Sequence, residues 1–310
     1  MSDFIQTWNQ CMRSDNALLQ EVLNHVSSRK GKMMRPMLTL LSAKLCGAIS
    51  QDTLYSAVAL ELMHTATLIH DDVVDESEER RGQTSVNKTY DNKIAVLVGD
   101  FILALSIENV SKVANRKFSS IVASTTQQLA SGELLQLKSV HNQEISEEVY
   151  FRIIHQKTAS LFSACAQAGA VSVTDDQRLI ERLGQFGETL GLCFQIRDDI
   201  FDYSHSIEIG KPTGNDMKEG KLTLPAIFVL TSQGNAEMMR IAKAVKNLSA
   251  TESEISQLVD YTLQNGGIEY AEKRMFELAE EAKELLSVFP DSDVKSALLS
   301  YVDYVARRTV

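Results

Sequence analysis

Two acidic clusters with the same spacing, Asp71-Asp72-Val73-Val74-Asp75 and Asp198-Asp199-Ile200-Phe201-Asp202, are the residues of this chain most suited to chemistry. Each follows an apolar stretch, with Leu68-Ile69-His70 leading into the first and Gln195-Ile196-Arg197 into the second. On a helix, residues i and i+4 stack on one face and i+1 lies about 100° round. Each cluster should therefore project two carboxylates together and a third beside them. Such a group repels itself unless a hard, oxygen-seeking cation neutralises it. One cluster alone is usually a solvated helix face; a second copy with a similar lead-in favours metal binding. Two such helix ends facing one another would hold several Mg²⁺ ions and a multiply charged anion.

Cations at helix ends and in loops supply the complement. Gly31-Lys32-Met33-Met34-Arg35-Pro36 sets two of them about one turn apart at a helix start, where free amides, the helix dipole and paired charges suit a phosphate. A solvated first turn is the plain alternative. Arg80-Arg81-Gly82 follows the first cluster, and the two arginines point in different directions, so they could clasp two anionic groups or pair with Glu76, Glu78 and Glu79. His64 lies seven residues before Asp71 on the same helical face, where a satisfied core histidine is the ordinary reading. Lys157-Thr158 and Gln195 sit in otherwise apolar helices, and Lys157 needs an anionic partner if buried. The polar stretch Tyr203–Leu222 carries Lys211, Lys218 and Lys221 directly after the second cluster and reads as a lid.

These residues must be positioned by helices. The 310 residues are 44% hydrophobic but only 6% aromatic, with 15 Gly and 4 Pro, which disfavours sheets and frequent turns. Apolar residues recur at i, i+3, i+4 and i+7 and predict helices over 3–27, 35–46, 51–78, 92–113, 117–138, 146–172, 176–203, 224–233, 236–247, 251–264, 267–287 and 292–307. No convincing strand and no linker is visible, so the expectation is one all-α domain over 1–310, with segments 51–71, 92–107 and 184–196 as central helices. A net charge of −10 argues against a nucleic-acid partner. Cys11, Cys46, Cys165 and Cys193 lack metal or redox spacing and read as reduced thiols of a cytoplasmic protein. The start shows no secretory pattern. The apolar stretch 94–107, interrupted by Asp100, is too short to span a bilayer, so no stable membrane insertion is expected.

In family order, GKMMRP, ELMHTATLIHDDVVDESEERRG, GDFILA, Gly132-Glu133-Leu134-Leu135-Gln136, KTASLF, FQIRDDIFD, IGKPTGNDMKEGKLTLP and GGIEYAEKR cover nearly the whole chain. In these motifs the chain resembles the trans-polyprenyl diphosphate synthases, which join isoprenyl units head to tail. Lys30 stands where the family usually has a glycine, and Gln83 where a basic residue often follows. The resemblance implies a bundle of about 10–13 helices around a central active-site cavity, the isoprenoid synthase fold, working as a homodimer. It implies that Asp71, Asp72, Asp75, Asp198, Asp199 and Asp202 hold three Mg²⁺ ions, directly or through water, that bridge an allylic diphosphate. Arg80, Lys157, Lys211 and Lys221 would neutralise that diphosphate, and Lys32, Arg35, His64 and Arg81 would bind isopentenyl diphosphate. Thr158 and Gln195 would line the reacting carbons.

Such chemistry leaves a carbocation and a diphosphate after C–O cleavage, and so needs stabilisation of the leaving group and exclusion of water rather than a nucleophile. The chain has no Ser-His or Cys-His constellation. The growing product should run along the helix carrying Asp71, past Thr67 and Ala66 and then Met63 and Leu60. Short-chain relatives block the first level with an aromatic residue; Thr67 and Ala66 cannot. One turn rises about 5.4 Å, close to one isoprene unit, so the product should exceed twenty carbons, in the C35–C50 range of quinone side chains. The alternatives are a short-chain (C15/C20) synthase, a class I terpene cyclase or a non-catalytic subunit of a heteromeric synthase. Retention of all six aspartates argues against the last, and the second acidic cluster against the cyclase.

Overall fold

The structure is a computed structural model that describes residues 1–28, 31–80, 82–203 and 214–308. Its helices in chain order are α1 (Ser2–Cys11), α2 (Ala17–Ser27), α3 (Met34–Cys46), α4 (Gln51–Val74), α5 (Val86–Thr89), α6 (Asn92–Lys112), α7 (Arg116–His141), α8 (Glu147–Ile154), α9 (Ser160–Val171), α10 (Gln177–Phe201), α11 (Asn215–Lys218), α12 (Leu224–Gln233), α13 (Ala236–Lys246), α14 (Glu252–Gln264), α15 (Gly267–Leu285) and α16 (Asp293–Arg307). The all-α expectation holds; two one-turn helices, α5 and α11, lie in stretches not expected to be helical, and three expected stretches depart locally. The helix expected over 3–27 breaks after Cys11 and restarts at Ala17, where the Asn16 side chain accepts from the Leu19 amide and caps α2. The stretch after Val74 forms a two-residue hairpin, β1 (Glu79–Arg80) paired antiparallel with β2 (Gln83–Thr84), which the helical periodicity did not reveal. The helix expected over 146–172 carries a π-helical turn at His155–Ala159 between α8 and α9. Such a one-residue insertion is a frequent device at functional sites.

The backbone groups into two compact units, one of Met1–Ser124 with Ala164–Gly184, the other of Thr125–Ser163 with Gln185–Val310. In the first, α4 is the organising helix. It starts at a capping box formed by Ser50 and Thr53, and packs against α6, α3 and α1. Leu60, Leu62, Met63 and Ile69 are all but fully buried, each contributing about 1.5–3 kcal/mol by removal from water. Ala66 joins Leu62 and Ile69 in the cluster formed with Phe4, Trp8, Val98 and Ile102. The apolar stretch expected over 94–107 extends to a helix of 21 residues, α6, long and apolar enough by composition to cross a bilayer, with a mean hydropathy of 1.7 over its most apolar window. Val96, Leu97 and Ile107 on it are exposed.

In the second unit, α12 packs on α15, α15 on α16, and α13 on α14, and Phe162, Phe186, Leu190, Leu224, Leu258, Met275 and Val302 are buried. Two glycines let neighbours close on the π turn. A Cβ on Gly132 of α7 would fall 2.8 Å from Gln156 and 2.9 Å from Lys157, and one on Gly191 of α10 would fall 2.6 Å from Ala159 Cα. Both helices can therefore lie against the backbone that carries Lys157 and Thr158.

Candidate active site

Both acidic clusters divide their carboxylates in the same way. In the first, Asp72 is fully buried on α4 and accepts from Arg80, whose Nε lies 2.7 Å and Nη2 2.6 Å from Oδ1. Asp71 and Asp75, stacked one turn apart, remain half-exposed. In the second, Asp199 is 5% exposed, accepting from the Tyr150 hydroxyl at 2.6 Å and from Gln195 Nε2 at 2.8 Å. Asp198 and Asp202 remain half-exposed on α10 and the turn after it. The expectation of a third carboxylate beside each outer pair is thus corrected: the middle aspartate turns into the protein and takes hydrogen bonds there. Among the described residues no three acidic, histidine or cysteine side chains converge as a ready-made metal site. What each cluster offers is an i, i+4 pair of accessible carboxylates. Such all-oxygen, anionic pairs fit Mg²⁺, which needs only one or two protein carboxylates and completes its shell with water and phosphate oxygens.

Asp202 also anchors the start of α11, accepting from the amides of Asn215 at 3.0 Å and Asp216 at 3.2 Å. Asp198 is held by Arg308 Nη2 at 2.5 Å, and that guanidinium lies over the Phe194 ring at 4.2 Å. Burial pushes the Asp199 carboxyl up to about 7, the nearby charges of Asp198 and Asp202 adding to the effect, while Tyr150 and Gln195 act against it. Asp216 is raised well above the usual carboxylate range by burial, then by Asp199 and Asp202. A cluster under such self-repulsion favours a bound divalent cation.

A cavity of about 190 Å³ opens in the second unit, lined among others by Lys157, Thr158, Gln195, Asp199, Asp216 and Lys221. The resemblance implies Lys157 and Lys221 for the allylic diphosphate and Thr158 and Gln195 for the reacting carbons, and the structure brings all four to this cavity. Thr158 Oγ1 donates to Gln195 Oε1 at 2.8 Å. Lys157 pairs with Glu133 at 2.5 Å and donates to Gln136 at 3.1 Å, so its half-buried charge is compensated. Lys221 pairs with Glu219 at 2.5 Å. Sequence reasoning assigns no role to Tyr150, Glu133, Gln136, Asp216, Lys246 or Arg308. A signal existed for Tyr150, which lies seven residues before Lys157 and hence on its helical face.

In the first unit a smaller hollow of about 50 Å³ gathers Gly31, Met33, Glu61, His64 and Arg80. Arg35 Nη1 lies 3.0 Å from His64 Nε2, so this nitrogen accepts and the imidazole proton sits on Nδ1. His64 is 8% exposed and Lys32 is exposed. Leu60, Met63 and Ala66 are buried, and Thr67 is half-buried with its hydroxyl donating to the His64 carbonyl at 2.9 Å. Arg81, Lys211 and the first half of the expected lid, 204–213, lie outside the described residues; within the other half Asn215–Lys218 form α11. Cys46, Cys165 and Cys193 are held as thiols, burial pushing the last two up to about 12, so none is a ready nucleophile.

Residues 16–262 match the polyprenyl synthetase family. The chain belongs to that family. It is 35% identical over 302 residues to the all-trans-nonaprenyl-diphosphate synthase (geranyl-diphosphate specific) of Rhodobacter capsulatus, covering 97% of this chain and 91% of that one. The polyprenyl synthase of Caulobacter crescentus CB15, solved with calcium and isoprenyl diphosphate, superposes with a TM-score of 0.94 at 34% identity, over 100% of this chain and 95% of that one. A geranylgeranyl pyrophosphate synthase from Bacteroides thetaiotaomicron gives 0.88 at 45% identity, over 99% and 95%. Family and fold make the chain a prenyltransferase of isoprenoid biosynthesis.

Proposed function

We propose that this chain is a Mg²⁺-dependent synthase that adds isopentenyl diphosphate head to tail onto an allylic diphosphate, making an all-trans product longer than twenty carbons, in the C35–C50 range. The observation that carries the reading is the pair of outward carboxylates at Asp71/Asp75 and again at Asp198/Asp202, in a chain whose cavity presents Lys157, Thr158 and Gln195 together. The outer pairs would hold Mg²⁺, three ions per active site, which when bound would neutralise charge developing on the departing diphosphate. Lys157 and Lys221 would take diphosphate oxygens, with Arg80 and Lys211 as further cations. Thr158 and Gln195, hydrogen-bonded to one another, line the cavity, where their oxygens would stabilise a developing allylic cation. In the first unit, Arg35 and His64 form one hydrogen-bonded unit suited to a second diphosphate, that of isopentenyl diphosphate, with Lys32 three residues before Arg35 and Arg81 following Arg80 as further cations. The isopentenyl double bond attacks the allylic carbon, and the proton lost goes to the released diphosphate.

Thr67 and Ala66 support the long product, since neither can block a tunnel along α4 as an aromatic residue would. The family match extends across residues of both units, in keeping with one synthase domain over 1–310. All four cysteines are free thiols, which suits the cytoplasm. The exposed Val96, Leu97 and Ile107 of α6 offer an apolar face for a second copy, and a homodimer is our reading. A second reading, a twenty-carbon product, rests on the 45% identity to the geranylgeranyl pyrophosphate synthase. Incubating the purified chain with Mg²⁺, isopentenyl diphosphate and farnesyl diphosphate, then sizing the dephosphorylated products by chromatography, separates the two. Products of C35–C50 are expected; a stop at C20 overturns the long-chain assignment, and no condensation overturns the function.

A further inference from the structure

Four side chains in the second unit form one directed chain. The Tyr150 hydroxyl donates to Asp199 Oδ2 at 2.6 Å, Gln195 Nε2 donates to Asp199 Oδ1 at 2.8 Å, and Thr158 Oγ1 donates to Gln195 Oε1 at 2.8 Å. Tyr150 is 6% exposed and Asp199 5%. Both oxygens of Asp199 accept, from Tyr150 and from Gln195, and Gln195 turns its NH₂ to Asp199 and its carbonyl oxygen to Thr158. The reversed amide would set oxygen against oxygen. The orientation that remains puts Gln195 Oε1, rather than its amide hydrogens, beside Thr158 on the cavity wall that also holds Lys157.

What keeps Asp199 in place is its second oxygen. Oδ2 is satisfied by Tyr150, on α8 two turns before Lys157. Without that donor, a buried carboxylate oxygen lacks its partner, and the carboxylate is free to turn away from Gln195. The geometry points to Tyr150 as a positioning residue: acting through Asp199, it fixes the Gln195 amide with its oxygen toward the reacting carbons. This rests on the proposed condensation. Its consequence is specific. When the lone pairs facing the allylic cation are misaligned, water competes better with the isopentenyl double bond: the water oxygen bonds to the allylic carbon, its proton passes to the departing diphosphate, and the allylic alcohol is released.

The test uses the full chain with farnesyl diphosphate, isopentenyl diphosphate and Mg²⁺, comparing Tyr150→Phe, Gln195→Leu and the double variant, with folding followed by circular dichroism. Tyr150→Phe is expected to lower kcat about tenfold, to leave both KM values and the Mg²⁺ half-saturation within about twofold, and to raise the share of farnesol at least about threefold. In the Gln195→Leu background, removing the hydroxyl should change kcat by less than about twofold, because the two residues act as one unit. Asp199→Asn, whose Nδ2 would let the Gln195 amide reverse, must raise the farnesol share at saturating Mg²⁺, and it carries the test if Tyr150→Phe does not fold. An unchanged farnesol share in these variants, an independent loss in the double variant, or a loss confined to a higher Mg²⁺ requirement overturns the inference. Failure of the wild-type chain to condense the substrates overturns the function itself, a result distinguishable from a wild type that condenses and a Tyr150→Phe that matches it.

Discussion

Lys246→Met should stabilise the protein at neutral pH, although it removes a charge and a hydrogen bond. Lys246 ends α13 and lines the cavity, 6% exposed, with its ammonium donating to Ser139 Oγ at 3.1 Å. Burial lowers its pKa from 10.5 to about 8, the Glu144 charge offsetting only part of the effect. A fall of that size corresponds to about 3 kcal/mol by which folding disfavours the charged form. Met keeps the length and apolar stem, so little packing is lost. Losing the Ser139 bond returns about 1 kcal/mol, leaving a net gain of about 2 kcal/mol at pH 7. Below pH 8 the folded chain carries the disfavoured charge and the whole penalty is present. Between pH 8 and 10.5 the unfolded lysine holds a proton that the folded one has released, and wild-type stability rises relative to the variant by up to about 1.4 kcal/mol per pH unit. Urea unfolding of both proteins, followed by circular dichroism, should therefore show a clear advantage for Met at pH 7 that nearly vanishes by about pH 9.5. A pH-independent difference, or a less stable variant at pH 7, would refute the reasoning.

The two kinds of aspartate should separate experimentally. Chelation of Mg²⁺ should abolish turnover, and Asp71→Asn should lower kcat about a hundredfold and raise the Mg²⁺ requirement with little effect on unfolding, whereas Asp72→Asn, which removes the buried negative charge paired with Arg80, should destabilise by about 2 kcal/mol. Equal Mg²⁺ dependence and equal stability in the two variants would contradict the inward–outward division. Arg35→Ala and His64→Ala should raise KM for isopentenyl diphosphate more than for the allylic substrate; equal effects on both would show that the hydrogen-bonded pair does not serve one diphosphate. Thr67→Phe should shorten the product to about fifteen to twenty carbons by the turn-per-unit estimate, and Ala66→Phe should do so while also destabilising by about 1–3 kcal/mol, since Ala66 is packed in the core and Thr67 is half-buried. An unchanged long product from a folded Thr67→Phe would mean that the chain does not grow along α4.

Periodicity made the helices legible because each must bury one face, and α12 begins and ends where its apolar pattern does. It could not show the break at Met12–Asn16, which is set by a capping asparagine, nor the hairpin after Val74, which is too short to have a period. The site divides along the same line. The aspartates could be named from their spacing, whereas the roles of Lys157 and Thr158 came from the family resemblance. Residues whose role depends on what they touch could not be named: Tyr150, Arg308 and Lys246 belong to α8, the end of the chain and α13, and only folding brings them to Asp199, Asp198 and Ser139. The acidic clusters show why spacing is incomplete even where it succeeds. An i, i+1, i+4 pattern fixes angles about a helix axis but not which of the three carboxylates meets the protein. Burial makes that choice, and it selects the middle one in both clusters, Asp72 for Arg80 and Asp199 for Tyr150 and Gln195. A carboxylate so placed is held inside the protein by its donors, while its neighbours at i and i+4 stay half-exposed.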